Sequence, residues 1–340
     1  MNYLLSGILS FTIFATISCS KSTLPTPTTV SPPSPPGTLI DPTTLKGSLM
    51  FQSNFEIPCS IVPNSTTTEK IIGKDALLGT NNSWDALSGS ILSSQPYFNY
   101  NGGDLSKRSA SLVQDPLNAS NKVLLYNIND SWADASGAVK ARVQYEFYGV
   151  KSGLKEYYQS VRMFLPTDLN LLRKYPNTIN WLTIVEIWNN ITWSQAVPFG
   201  YRLTVGIGKL IPTEDDLHFI IDAQDCILYP DNSQKYTTIW SANAGNVKIP
   251  VGQWFTMDYY FKEGNAKSGR FYMTIEPEGG KKEVVFDVTN FTHNTTDSNP
   301  DGVTQFNPMK LYTSKELVAY MKNQGKSLQI FWDDFKLWRK

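Results

Sequence analysis

The sequence predicts an all-β protein: a jelly-roll β-sandwich with one short helix near the C-terminus. Three observations predict it. Many short runs alternate residue character at a period of two, the mark of strands with two different faces. Clusters of Gly, Asn, Asp and Pro separate these runs as turns. Only one stretch, from Ser314 to Lys326, carries helical periodicity. With 41% hydrophobic and 13% aromatic residues in 340, the chain can build a substantial core as one large domain. No repeat of fixed period is present.

The chain opens on residues 1–18, MNYLLSGILSFTIFATIS, which are apolar and carry no charged side chain. This stretch is short for a membrane span and stands directly before Cys19. Small residues ahead of a cysteine look like a bacterial lipoprotein signal, so Cys19 is the expected lipidation site. The protein is then exported and anchored through lipid to the outer membrane, facing the periplasm or the outside. An ordinary secretory signal with an incidental cysteine is the alternative. Residues 19–45 are rich in Pro, Thr and Ser, a composition that forms an extended tether rather than a core. The folded domain is expected over 46–340.

GSLMFQSNFE opens that domain as a strand, and a loop-rich region anchored by Trp84 and PYFNYNGG follows to about Lys107. SASLVQDPLNASNKVLLYNIND reads as two strands around a turn at Asp115, Pro116 and Asn118. Further strands are expected at ARVQYEFYG, EYYQSVRMFLP, WLTIVEIWNN, FGYRLTVGIGK, LHFIIDAQDCILY, TTIWSAN, QWFTMDYYFKEG, RFYMTIEPEGG and KEVVFDVTNF. In the helix, Ser314 is the expected cap. Leu317, Val318 and Met321 form the buried side, and Gly325 is the stop. The closing strand is SLQIFWDDFKLW.

The polar phase of the central strands is unusual. Arg142, Gln144 and Glu146 share one side of the first; Tyr158, Ser160 and Arg162 share one side of the second; Glu186, Trp188 and Asn190 share one side of the third. Arg202 and Thr204 follow in the fourth, and His218 is in phase with Asp222 in the fifth. A solvated sheet face ordinarily carries Thr, Ser, Lys and Glu. Guanidinium, amide, carboxylate and indole groups instead suit flat, hydroxyl-rich ligands, because sugar rings stack on aromatics and their hydroxyls pair with amides and charges. The plainer account of each is structural: Arg142 and Glu186 as a cross-strand ion pair, Trp188 in the core, His218 satisfied locally.

The order of pieces resembles concanavalin A-like jelly-roll proteins: an opening strand ending in FE, a DP turn before NKVL, an R-x-Q strand, a strand ending in FLP, a GQW strand start and a closing DDF strand. Within that group it looks like the polysaccharide-lyase branch and related carbohydrate-binding lipoproteins of Bacteroidota. The resemblance spans about Gly47 to Trp338. It implies a concave sheet that holds a glycan, with an Arg-x-Glu strand, a Gln-x-His strand and a Lys-x-x-x-Tyr strand supplying the site. Arg142 and Gln144 stand at the first motif, with Gln replacing Glu. Glu186 and Trp188 stand near the second, without its histidine. Lys310 and Tyr312 stand at the third with shorter spacing.

Three functions follow as expectations. The first is capture of an extracellular polysaccharide by Arg142, Gln144, Glu146, Tyr158, Glu186, Trp188, Asn190 and Arg202, with Trp132 and Trp193 as further platforms. The second is a lyase that cleaves a uronate-containing glycan by β-elimination. There Arg142, Gln144, Asn190 and Arg202 neutralise the carboxylate, and Tyr312, Lys310 and His218 supply the acid and base. Glycoside hydrolysis by Glu146 and Glu186 ranks below it. The third is a structural or adhesion lipoprotein without a glycan site.

The formal net charge is zero, and no basic run is present, which speaks against nucleic-acid partners. Cys59 and Cys226 form a disulfide or stay as buried thiols. With only His218 and His293, no zinc cluster is legible, and no cofactor is expected. Asp333 and Asp334 read as edge residues pointing to opposite faces, with a structural calcium ion as the alternative.

Overall fold

Successive strands cross back and forth between two stacked antiparallel sheets. The computed structural model describes residues 38–56, 58–75, 83–100, 104–133, 139–189, 199–231 and 234–340. The lipidation and signal residues 1–19, Asn190 and Trp193 lie outside these. In chain order the first strands are β1 (Ser48–Ser53), β2 (Ser60–Pro63), β3 (Thr68–Ile72), β4 (Tyr97–Asn99), β5 (Arg108–Gln114), β6 (Lys122–Ile128) and β7 (Trp132–Ala133). The long central strands are β8 (Val139–Tyr148), β9 (Glu156–Phe164), β10 (Leu182–Asn189), β11 (Phe199–Gly208), β12 (His218–Leu228) and β13 (Gln234–Asn243). The last are β14 (Trp254–Lys262), β15 (Arg270–Pro277), β16 (Glu283–Thr289), β17 (Gln305–Asn307), β18 (Lys310–Ser314) and β19 (Leu328–Arg339).

The smaller sheet runs β16-β15-β14-β9-β19-β6-β5, with β1 also on β19; the larger runs β13-β12-β11-β10-β17-β8-β4-β3-β2, with β18 and β7 beside it. The chain passes from β8 in the larger sheet to β9 in the smaller and back to β10. This winding makes a jelly-roll sandwich rather than a meander.

The apolar phases meet between the sheets. Phe147 on β8 packs against Phe335 on β19 with ring centroids 5.9 Å apart. Tyr157 on β9 meets Phe306 on β17 at 5.8 Å. Phe98 on β4 meets Tyr126 on β6 edge-on at 6.0 Å. All six are buried, so aromatic contacts bridge the two layers along their length.

The strand β17 and the strand β18 together form one interrupted central strand. Glu186 to Trp188 of β10 pair with β17, while Leu182 and Thr183 pair with β18. On the other side β8 pairs with both. The interruption falls at Pro308, which has no N–H to give to a ladder. The carbonyl of Met309 still accepts from Tyr145 N–H at 3.2 Å, so pairing resumes at once.

Local signals explain the other boundaries. In the β5–β6 turn, Asp115 Oδ1 accepts from Leu117 N–H at 2.8 Å. The helix α3 (Lys315–Asn323) follows Ser314, although that hydroxyl makes no capping bond. It stops where Gly325 turns to φ +70°, with Gly325 N–H bonded to Lys322 and Lys326 N–H to Met321. The loop-rich region also contains β2, β3, β4 and the helix α2 (Trp84–Ser90), elements too short to show a period. Ordered contacts begin before the boundary expected at residue 46: a helical turn, α1 (Pro42–Leu45), buries Leu45 beside Tyr158, Tyr260 and Tyr272.

Phe147 carries much of the inter-sheet contact, so Phe147→Ala is expected to lower unfolding free energy by about 3–5 kcal/mol in urea titration.

Candidate functional site

The outer face of the larger sheet collects the polar phases of strands far apart in sequence. Pairing aligns them in rows. One row reads Tyr148, Gln305, Trp188, Arg202, Gln224, Thr238 across β8, β17, β10, β11, β12 and β13. The next reads Asn307, Glu186, Thr204, Asp222, Ser241. Beside them Asn99, Gln144 and Lys310 form a third row, and Arg142 pairs with Tyr312. Trp132 on β7 stands opposite Lys140 at the end of this face. Five interstrand steps make the first row about 24 Å wide, broader than a single sugar ring.

At the centre sits a buried carboxylate between two cations. Glu186 Oε1 accepts from Arg202 Nε at 2.8 Å, and Glu186 Oε2 pairs with Lys310 Nζ. Burial works against the Glu186 charge, yet Lys310 and Arg202 outweigh it and hold its pKa down to about 2. The opposite balance falls on Lys310, whose side chain has 0% exposure. Burial, helped by the nearby Arg142 and Arg202 charges, pulls its pKa down to about 8 despite Glu186.

Aromatic rings hold the cations flat. Arg202 lies over Trp188 at 5.4 Å and over Tyr236 at 5.9 Å. Arg142 lies over Tyr312 at 5.4 Å, and Lys310 Nζ is 4.8 Å from the same ring centre. Trp181 meets Tyr312 edge-on at 4.8 Å. The other glutamate, Glu146, accepts from Asn99 Nδ2 at 3.0 Å and from Gln144 Nε2. Burial pushes the Asp222 carboxyl up to about 6, against hydrogen bonds from Thr238 and Gln224 and the pull of Arg202.

Thus Arg142, Gln144, Glu146, Glu186, Trp188, Arg202, Lys310 and Tyr312 share one face. Two expected site residues do not join them. Tyr158 belongs to the smaller sheet, because β9 pairs with β14 and β19 rather than with β8. It is buried on the outer side of that sheet beside Trp338, under the Lys46 ammonium. His218 opens β12 opposite Gly208, three strands from Tyr312, which is about 14 Å by interstrand spacing alone. Its Nε2 stands 3.1 Å from Glu214 Oε2, a local pair far from any proton at Tyr312.

Sequence reading passed over Tyr97, Gln224, Tyr236, Gln305 and Asn307, which also lie on this face. Gln224 and Asp222 carry the phase of Arg202 through the β11–β12 hairpin, a signal that was available. Gln305 and Asn307 flank one core residue, Phe306, in a strand of three, too short for any period.

Of the two states open to the cysteines, the buried thiols are the one present. Cys59 packs in the main core, while Cys226 on β12 lies beside Tyr236 of β13; both are free thiols, so no disulfide joins them. Asp333 and Asp334 do not diverge as strand neighbours should. A bulge in β19 after Asp333, with Asp334 at φ +49°, turns both toward Arg162 at 3.4 and 3.7 Å. That guanidinium is the cation the two carboxylates share, and among the described residues no group of three or more His, Cys, Asp or Glu side chains is placed to hold a metal.

Comparison with known proteins adds outline only. The sequence matches no protein-family model and no curated protein. Similar solved structures include an endo-β-1,4-glucuronan lyase from the fungus Trichoderma reesei. It is 12% identical, covering 71% of this chain and 90% of that one, with a TM-score of 0.43. A marine alginate lyase from Aplysia kurodai is 8% identical over 86% of this chain and 100% of its own, with a TM-score of 0.44. The catalytic domain of a glycoside hydrolase family 131 protein from Coprinopsis cinerea is 10% identical over 86% and 95%, with a TM-score of 0.37. Likeness at this level says nothing about what the present chain binds.

Two outcomes test the electrostatics. Glu186→Gln strips the counter-charge from two cations and is expected to cost about 3–5 kcal/mol of stability, most of it recovered in the Glu186→Gln/Lys310→Met double variant. Asp333 is the second case: burial and the Asp334 charge push its carboxyl up from 3.8 to about 7. In that window the folded state keeps a proton that the unfolded chain has released. Its contribution to stability therefore falls as pH rises from 3.8 to about 7. Thermal melts across this range should lose that slope in Asp333→Asn.

Proposed function

We propose that this protein captures an extracellular polysaccharide along the outer face of its larger sheet and does not turn it over. The observation that carries this reading is the row Tyr148–Gln305–Trp188–Arg202–Gln224–Thr238, which sets rings, amides and a guanidinium across six strands, buried at Gln305 and Trp188 and reaching solvent from Arg202 to Thr238. Tyr236, 42% exposed, extends it beside Trp188 at a ring distance of 6.4 Å. A glycan chain lying along such a row stacks its C–H faces on the rings and pairs its hydroxyls with the polar groups. In this reading Cys19 carries the lipid that anchors the domain to the outer membrane.

One observation favours a second reading, a polysaccharide lyase. Lys310 has its pKa pulled toward neutral and stands beside Tyr312 and Arg142. In β-elimination the neutral amine takes the C5 proton of a uronate, and that electron pair forms the C4–C5 double bond. The C4–O bond breaks, and Tyr312 returns a proton to the leaving oxygen, while Arg142 neutralises the carboxylate. Against it stands access: Lys310 is fully buried and bonded to Glu186, so a sugar carbon has no path to the nitrogen.

Affinity electrophoresis through gels cast with a broad panel of polysaccharides separates these readings. Capture predicts retardation that Trp188→Ala abolishes while the thermal melt stays cooperative, with no ultraviolet-absorbing unsaturated uronate released from any gel polymer. Appearance of that product, lost in Lys310→Met, establishes the lyase. A protein retarded by nothing in the panel serves a structural or adhesive role.

A further inference from the structure

Resting on the capture reading, we propose that the glycan taken by this face is a neutral polysaccharide, one without carboxylate or sulfate groups. Charge is the first reason. The central part of the face carries the cations Arg142, Arg202 and Lys310 together with the carboxylates Glu146, Glu186 and Asp222. Two of the three cations are already spent on Glu186, in direct ion pairs. A polyanion with one charge per sugar would find Arg202 and Lys310 already engaged and would meet the Glu146 and Asp222 carboxylates on the same face. The chain as a whole adds no steering field, since its 30 basic and 30 acidic residues balance.

The second reason is the kind of hydrogen bond the face has left over. Gln144, Gln305 and Asn307 are at most 4% exposed. Four of their side-chain amide atoms have no partner among the described residues: Gln144 Oε1, Gln305 Oε1, Asn307 Oδ1 and Asn307 Nδ2. Three of those four are acceptors, which need a donor. These atoms are as closed to direct contact as Lys310 is, so a sugar hydroxyl reaches them only through an ordered water held in the sheet. The carboxylate or sulfate of an acidic sugar adds acceptors these oxygens cannot bond, so its charge gains nothing here and only its remaining hydroxyls would serve.

The third reason is the exposed platform. Tyr236 reaches solvent on β13, and the Arg202 guanidinium lies against both its ring and that of Trp188. With its Nε bonded to Glu186 and Nη1 to Gln224 at 3.3 Å, Arg202 acts as a flat extension of the aromatic surface rather than as an anion clamp.

The test runs the full folded domain through gels cast with neutral polymers (a β-glucan, a xylan, a galactomannan) and with acidic ones (alginate, polygalacturonate, heparin), at low and high salt. The expected result is retardation in at least one neutral gel, unchanged by salt because no counterions are released. Tyr236→Ala, a change at an exposed position, should weaken it about tenfold, equivalent to about 1.4 kcal/mol, with an unaltered melting temperature. Retardation only in acidic gels, lost in high salt, overturns the neutral assignment and leaves capture standing. Retardation in neither set overturns both. Retardation in a neutral gel that Tyr236→Ala leaves intact overturns the platform argument and with it the site proposed here.

Discussion

The outer face depends on one interaction, the buried Glu186 carboxylate held between Lys310 and Arg202. Each partner comes from a different strand, β10, β18 and β11. Removing ions from water is costly, and attraction at low dielectric repays the cost only when geometry is tight and the remaining polar atoms are satisfied. Here one carboxylate meets two cations on its two oxygens, which fixes β18 beside β10 and sets the plane of the Arg202 guanidinium. Trp188 and Tyr236 then pack on that plane, so the geometry of the proposed platform follows from the ion triad beneath it.

The smaller sheet solves a similar problem without building a row. Arg162 gathers Asp333, Asp334 and Glu278 within 3.7 Å of its nitrogens, at a bulge that interrupts β19. Trp254 covers that guanidinium at 4.9 Å and donates its indole N–H to Asp115. The network ties the β5–β6 turn to the closing strand through Asn121, which bonds both Asp115 and Asp333. It holds the edge of the sandwich together, whereas the larger sheet spreads its polar groups across six strands.

Much of this was legible from residue order. The alternation of ARVQYEFY places Arg142, Gln144 and Glu146 opposite Val143, Tyr145 and Phe147, and the structure keeps that division. The helix at Ser314 and its stop at Gly325 were equally plain. The alternation of EYYQSVRMF marks a strand, yet it says nothing about which sheet receives it. Polar phase alone sets Tyr158 with Arg142, whereas β9 joins β14 and β19.

Sequence by itself determined which side of each strand is polar, because side chains alternate strictly along an extended backbone. It also set the all-β class, the turns and the helix after Ser314. Only the tertiary structure decided which strands lie side by side, since pairing partners such as Trp188 and Gln305 are joined by hydrogen bonds across more than a hundred residues. Local breaks in regularity were decided there too. A single bulge turned Asp333 and Asp334 to the same guanidinium, and a proline at position 308 split one strand into two. Such breaks follow from how neighbouring strands fit, and a period-two pattern read along one strand contains no record of its neighbours.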